Sequence, residues 1–160
     1  MYSPQSNWSV VRGKLTVCDL LVCSTGRLRA FDTYYSCEMC GDFVLEKREK
    51  MRLSGYFRDD AVYRRALLSH FVRKMQRENE HVRLDEILIE RLLQQQVLPT
   101  PFEQADNLIL WLGEKSRYFG AIEKIGYIPH GAIIGAASSY GYNEVVAHLT
   151  REKLLREGTS

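Results

Sequence analysis

The sequence has no long apolar run and no cleavable leader pattern. No stretch approaches the about 18–20 apolar residues that a membrane-spanning helix needs. The N-terminal segment MYSPQSNWSVVRGKL has neither the apolar core nor the small-residue cleavage site of a signal peptide. We therefore expect a cytoplasmic protein without a membrane partner. In that reducing setting, cysteines serve as metal ligands or plain thiols rather than as disulfides.

The common catalytic signatures are absent as well. Gly13-Lys14 lacks both the upstream glycine and the following hydroxyl residue of a phosphate-binding loop. There is no GxSxG and no HExxH, and none of the four histidines has Glu two residues later, as zinc deaminases require. His70 and His148 fall within predicted helices, where we expect ordinary helix residues. The sequence therefore predicts a protein that is not an enzyme.

The charge is unevenly distributed over a chain whose net charge is only +2. Residues 1–46 carry 4 basic and 5 acidic side chains, residues 47–83 carry 11 and 5, and residues 84–160 carry 7 and 10. The regional net charges are therefore −1, +6 and −3. A basic middle favours a surface that faces a polyanion, although an Arg-rich helix face that is merely solvated has the same composition.

All four cysteines lie close together, as Cys18, Cys23, Cys37 and Cys40. The spacing C-x4-C-x13-C-x2-C provides two close pairs, and four thiolates suit the tetrahedral preference of Zn²⁺. Gly41 follows the second pair and permits a tight turn. Since the local core is thin, the pattern predicts a structural zinc site built from all four cysteines.

The cysteines have three alternative interpretations besides a structural zinc site. Free thiols, with Cys18 and Cys23 as small core residues, are the main alternative. A redox pair is disfavoured because a strand-like segment, rather than a helix, follows Cys40. A catalytic zinc is disfavoured because four cysteines fill the coordination shell.

Short strand-like segments flank the cysteines, at Val17, Leu20–Val22, Tyr34–Tyr35 and Phe43–Leu45. Helical spacing then predicts a helix from Asp59 or Asp60 to about Glu78. A second helix is predicted from about Leu84 to Gln96. Its inward residues are expected to be Ile87, Leu88, Leu92 and Val97.

The sequence Thr100-Pro101-Phe102-Glu103 predicts the start of a third helix, because it combines a capping box with proline at the first helical position. Ala105, Leu108, Ile109, Trp111 and Leu112 are its expected core residues. A short strand around 126–128 and a helix starting at Pro129 follow.

Residues 133–149 have the pattern of a helix-turn-helix, with small alanines, a turn at 140–142 and Asn143 as the cap of the last helix. In a DNA reader, Tyr142, Asn143, Ala147 and Arg151 would meet base edges. Acidic residues on the same helix oppose phosphate, so a packing or protein-binding unit is the alternative. The chain stops where a winged helix would form its wing, which suggests a wingless variant or a fragment.

Four stretches together resemble a known bacterial module: CEMCG at 37–41, ALLSHF at 66–71, LPTPFEQADNL at 98–108 and AIIGAA at 132–137. The sequence resembles an N-terminal zinc-ribbon plus winged-helix-like module that precedes a nucleoside 2-deoxyribosyltransferase-like domain. The resemblance implies that the catalytic domain lies beyond Ser160. Only the four cysteines map onto the module, and the x4 gap departs from its usual tighter knuckle.

These observations predict an α+β, mainly helical fold, with a four-cysteine zinc ribbon (residues 1–50) packed on a helical winged-helix-like domain (residues 51–160). We expect a non-catalytic module that senses or binds nucleic acid, DNA or RNA, or a nucleotide-bearing partner, and that regulates an attached or associated enzyme. The alternative is a protein–protein adaptor or oligomerisation module with a purely structural zinc. The candidate contact residues are Arg58, Arg64, Arg65, Arg73, Lys74, Arg77, Asn143 and Arg151.

Overall fold

The computed structural model describes residues 23–24, 28–29, 32–78, 82–116 and 123–155. Its elements are β1 (Cys23–Ser24), β2 (Leu28–Arg29), β3 (Asp32–Cys37), β4 (Gly41–Glu46), α1 (Lys47–Tyr56), α2 (Ala61–Glu78), β5 (Val82–Leu84), α3 (Glu86–Gln95), α4 (Pro101–Lys115), α5 (Tyr127–Ile134) and α6 (Ser139–Arg151). The fold is α+β and mainly helical, as predicted. Among the described residues, no helix is long and apolar enough to span a bilayer.

The sheet is built around the β3–β4 hairpin. β1 and β2 both pair antiparallel with β3, and β5 adds to β4 in parallel. Alternate residues of the hairpin face the core, and Tyr35 stacks on Phe43 across the strands with ring centroids 5.2 Å apart. This alternation leaves one face of the hairpin for packing against helices.

α2 is the central helix, because its Leu68 and Val72 are fully buried in the core beneath the sheet. That core also takes in Leu84 of β5 and Ile89 of α3. β5 belongs to the predicted helical domain, yet it pairs with β4 of the predicted ribbon module. The first core therefore contains residues from both sides of the boundary predicted near residue 50.

A second core joins α4, α5 and α6. Leu108 of α4, Ile134 of α5, and Tyr142 and Leu149 of α6 form its buried centre. α4 starts as predicted, with the Thr100 hydroxyl accepting the Glu103 N–H and the Glu103 carboxylate accepting the Thr100 N–H. α5 and α2 also pack together, so the two cores adjoin.

Several sequence-based expectations for the middle of the chain are wrong. The predicted order of elements lacks α1 and β5. Both segments are short and contain few apolar residues, so they give little periodic signal. α3 is capped by the Asp85 carboxylate and buries Ile89, while Ile87 and Val97 are 68% and 74% exposed. The apolar residues of α3 cover a wide arc, and packing on α2 selects only part of it.

The turn between the last two helices also lies elsewhere than predicted. α5 contains a non-helical backbone at Ile128 (φ −101°, ψ 117°), so its regular part begins at Pro129, as predicted, and Gly135 ends the helix at φ +82°. Ser138, not Asn143, caps α6, and its hydroxyl accepts the Gly141 N–H. α5 and α6 are therefore consecutive helices joined by a turn over 135–138. The segments Val17 and Leu20–Val22 lie outside the described residues.

Candidate ligand cleft and cysteine turn

A cleft of about 620 Å³ lies between α2, α4, α5 and the segment that precedes α4. One wall is the C-terminal half of α2, which contributes Arg73, Lys74 and Arg77. α4 contributes Asn107 and Trp111 to the wall opposite. The volume lies within the about 300–1,000 Å³ typical of ligand pockets.

The lining of the cleft carries more positive than negative charge. Its cations are Arg73, Lys74, Arg77 and Lys115, and its carboxylates are Glu103 and Glu114, so its net charge is +2. Arg77 is ion-paired with Glu114, which links α2 to α4. The Glu103 carboxylate accepts hydrogen bonds from Thr100, and these lower its pKa.

Lys74 is the cation of this wall that is least engaged by the protein. It is exposed, and its ammonium lies 5.7 Å from the centre of the Phe71 ring. Within the described part of the chain it forms no ion pair. A phosphate in the cleft would therefore meet Lys74 without first displacing a carboxylate.

Two buried histidines also line the cleft. His70 is 6% exposed, and its Nδ1 donates to the carbonyl of Ala132 at 2.8 Å. His130 is 5% exposed and lies against Trp111, with ring centroids 4.3 Å apart. Burial lowers the pKa of both imidazoles, and Arg73 adds a smaller lowering to the pKa of His130. Both rings are therefore neutral at pH 7.

The cysteine turn connects β3 to β4 behind this cleft. Cys37 is paired with Gly41 in the hairpin register, and Gly41 has φ +78°. The backbone N–H of Cys40 donates to the Cys37 sulfur at 3.3 Å, and both cysteine side chains are buried. On the other side of β3, Cys23 is the backbone partner of Cys37. Partners of this kind have Cα atoms about 4.5–5.5 Å apart.

One stripe of α2 holds the cysteine turn. Ser69 Oγ lies 3.2 Å from the Cys40 sulfur, Arg73 donates to the Glu38 carbonyl, and Gln76 donates to the carbonyls of Cys40 and Asp42. These three positions recur at helical spacing on the same side of α2. Since Arg73 and Gln76 also line the cleft, the turn and the cleft share side chains.

The structure divides the predicted contact residues into separate groups. Arg73, Lys74 and Arg77 come together in the cleft, whereas Arg58 lines a shallow depression with Arg52 and Glu86.

Arg64 donates to the Tyr56 carbonyl, and the Arg65 guanidinium lies over the Phe57 ring. These two contacts join the start of α2 to the end of α1, so both arginines take part in helix packing.

The residues predicted on the last helix are also divided. Asn143, Ala147 and Arg151 are exposed on α6, but Tyr142 is 2% exposed and belongs to the second core. The expectation that Tyr142 meets base edges is therefore wrong. With Ser138 as the cap, position 142 turns inward.

Of the four predicted zinc ligands, the structure brings Cys23, Cys37 and Cys40 together at the level of the backbone. Cys18 lies outside the described residues. Among the described residues, no cluster of three or more His, Cys, Asp and Glu side chains has the arrangement of a metal site.

Sequence reasoning missed the inner part of the cleft. His70 lies in a helix and Trp111 packs against the second core, both as predicted, but both also line the cleft, which the sequence did not predict. His130 and Asn107 carried no local signal, because their role depends on the packing of α5 and α4 against α2.

Comparison with family models, curated proteins and solved structures gives no match for this chain.

Proposed function

We propose that this chain is a non-catalytic binding module that contacts nucleic acid through the cleft between α2 and α4. The observation that carries the proposal is the convergence of Arg73, Lys74 and Lys115 on one cleft of about 620 Å³. Positive side chains around a concave site attract and position phosphates. Binding of nucleic acid at this cleft would regulate an attached or associated enzyme.

The geometry favours a single strand over a duplex as the occupant. The cationic site is a concave cleft, whereas a duplex reader presents a protruding helix to the major groove. The predicted contact residues Asn143 and Arg151 are exposed on α6, but they lie beside the acidic Glu144 and, at the C-cap, Glu152. A winged-helix-like mode of duplex reading is therefore the weaker form of the proposal.

The test is a titration of labelled single-stranded and duplex oligonucleotides at about 50 and 200 mM salt. With three or four phosphate contacts, single-strand affinity should fall about 20- to 50-fold between the two salt concentrations. Lys74→Ala should weaken binding and reduce the salt dependence by about one phosphate contact.

Arg91→Ala is the matched control, because Arg91 is exposed on α3 and lies outside the cleft lining. Absence of binding at the lower salt, or an equal loss in both variants, would show that the cleft does not receive nucleic acid.

We further propose that Zn²⁺ binds the four cysteines as a structural ion, in a small ribbon. The support is the hairpin turn between Cys37 and Cys40, the N–H donated to the Cys37 sulfur, and the backbone pairing of Cys23 with Cys37. Such N–H groups stabilise a thiolate over a thiol.

Elemental analysis should find about one zinc per chain if this site exists. Cys37→Ser should release the metal and lower stability, since binding of a structural zinc is coupled to folding. If the parent protein contains no metal and Cys37→Ser is as stable as the parent, the result would support buried thiols instead.

A protein–protein adaptor or oligomerisation module is the second candidate function. The observation that favours it is a set of large apolar side chains exposed on α4 and α6: Phe102 is 77%, Leu110 61% and Tyr140 74% exposed. Exposed apolar side chains of this size are typical of protein contacts when they adjoin one another. Sedimentation over a range of concentrations tests self-association, which Phe102→Asp should abolish if Phe102 lies in the contact.

A further inference from the structure

Four aromatic rings line the cleft together with its charged side chains: His70, Phe71, Trp111 and His130. His70 and Phe71 are in edge contact with ring centroids 5.2 Å apart, and Trp111 and His130 are 4.3 Å apart. Phe71 and Trp111 are only partly buried, although both line the cleft. A ligand that contained phosphate alone would leave this aromatic surface unused.

The polar groups among these rings suit a planar, uncharged heterocycle. His70 Nδ1 donates to the Ala132 carbonyl, so in the neutral ring the lone pair lies on Nε2, the atom that can accept a hydrogen bond. The half-buried Asn107 amide also lines the cleft. Ring N–H and exocyclic amino groups of nucleobases are the matching donors.

We infer that the cleft takes up one unstacked nucleobase of the strand, which stacks on Trp111 while its phosphate meets Lys74 and Arg73. This inference rests on the proposed function and specifies its ligand: a nucleotide unit in which the base itself contributes to affinity. Base–aromatic stacking is tolerant of sequence, so any base enters.

The experiment uses the full chain with Trp8→Phe, which leaves Trp111 as the single tryptophan of the two in the sequence. This protein is titrated at low salt with an oligothymidylate and with an abasic chain of equal length and charge. The base-containing strand should quench Trp111 fluorescence and bind about 5- to 150-fold more tightly than the abasic chain. The abasic chain should bind without quenching.

Trp111→Leu should remove the difference in affinity between the two strands, as measured with labelled strands. Phe71→Leu, a smaller change in the same cleft, should reduce the difference, which keeps the test valid if the first variant fails to fold. Phe102→Leu is the control, since Phe102 is an exposed aromatic outside the cleft lining, and it should preserve the difference.

The outcomes separate this inference from the proposed function. Equal affinity for both strands without quenching would overturn base uptake and leave phosphate binding intact. If neither strand binds, the proposed function fails. A titration with the nucleoside thymidine then tests the base site by itself. Quenching of Trp111 by the nucleoside would uphold the base site, and its absence would overturn it.

Discussion

Gly135 ends α5 beside the cleft, and we predict that Gly135→Ala destabilises the protein strongly. Its φ of +82° lies in the left-handed region, and a β-carbon there would come within 2.5 Å of Pro99 Cδ and 3.2 Å of His70 Nδ1. The backbone strain of an alanine in this region is about 1–2 kcal/mol. Overpacking typically adds about 1–3 kcal/mol, and the rigid ring of Pro99 cannot rotate away.

The expected loss is therefore about 2–5 kcal/mol in the free energy of unfolding. For a chain of this length, it corresponds to a fall in the melting temperature of about 4–20 °C. Urea denaturation followed by circular dichroism measures the free energy directly, provided that the m-value is unchanged.

Gly113→Ala is the matched control, because Gly113 lies in α4 and a β-carbon there would meet nothing within 4 Å. Alanine has the better helix propensity, so this variant should gain about 0.5–1 kcal/mol. A Gly135→Ala protein as stable as the parent would refute the close packing of α5 on Pro99 and His70. A loss in Gly113→Ala would refute the exposed position of that glycine.

Two further predictions concern buried polar groups. Tyr142→Phe should leave stability unchanged or raise it by about 1 kcal/mol, since the Tyr142 hydroxyl is buried without a hydrogen-bond partner among the described residues; a clear loss in urea denaturation would reveal a partner. The two histidines predict that stability depends on pH. In the folded protein the pKa of His70 and that of His130 lie below the ordinary 6.5, because burial disfavours the charged imidazole. Their contribution to stability is therefore fully present above that pH and is lost as the pH drops below it. His70→Asn, which keeps a donor near Nδ1 but does not titrate, should flatten this fall in a series of urea midpoints from pH 7.5 to 5, and an unchanged slope would contradict the assignment.

The features that could be predicted from the sequence are those fixed by neighbours along the chain. The capping box needs only Thr100 and Glu103, three residues apart, and the hairpin strands follow from alternation around Cys37-Cys40. The helix over α2 was predicted within two residues of its observed start and at its observed end, since Leu67, Leu68 and Val72 recur at helical spacing. Local hydrogen bonds and short-range periodicity suffice for such elements.

Long-range pairing explains most of what could not be predicted. β5 has three residues, and only its contact with β4, about forty residues earlier, makes it a strand. The exposure of Ile87 and the burial of Ile89 depend on which side of α3 meets α2. The turn at Gly135 rather than at 140–142 depends on a left-handed backbone that fits against Pro99, a contact between distant segments.

The candidate site shows the same division within a single helix. The sequence places Arg64, Arg65, Arg73, Lys74 and Arg77 on α2, and helical spacing alone makes them one charged stretch. The tertiary contacts then separate them: the first two contact the α1 end, Arg73 holds the cysteine turn, and Arg77 pairs with Glu114.

Charge counting therefore overstates the surface that is open to a polyanion. A cation that already donates to a carbonyl or a carboxylate must exchange that partner for phosphate, so its net gain on binding is small. Lys74 has no such exchange to make within the described residues, and its substitution should weaken binding more than that of Arg77. The α2 wall is thus best understood as one available ammonium, supported by a positioned Arg73, rather than as a uniform basic face.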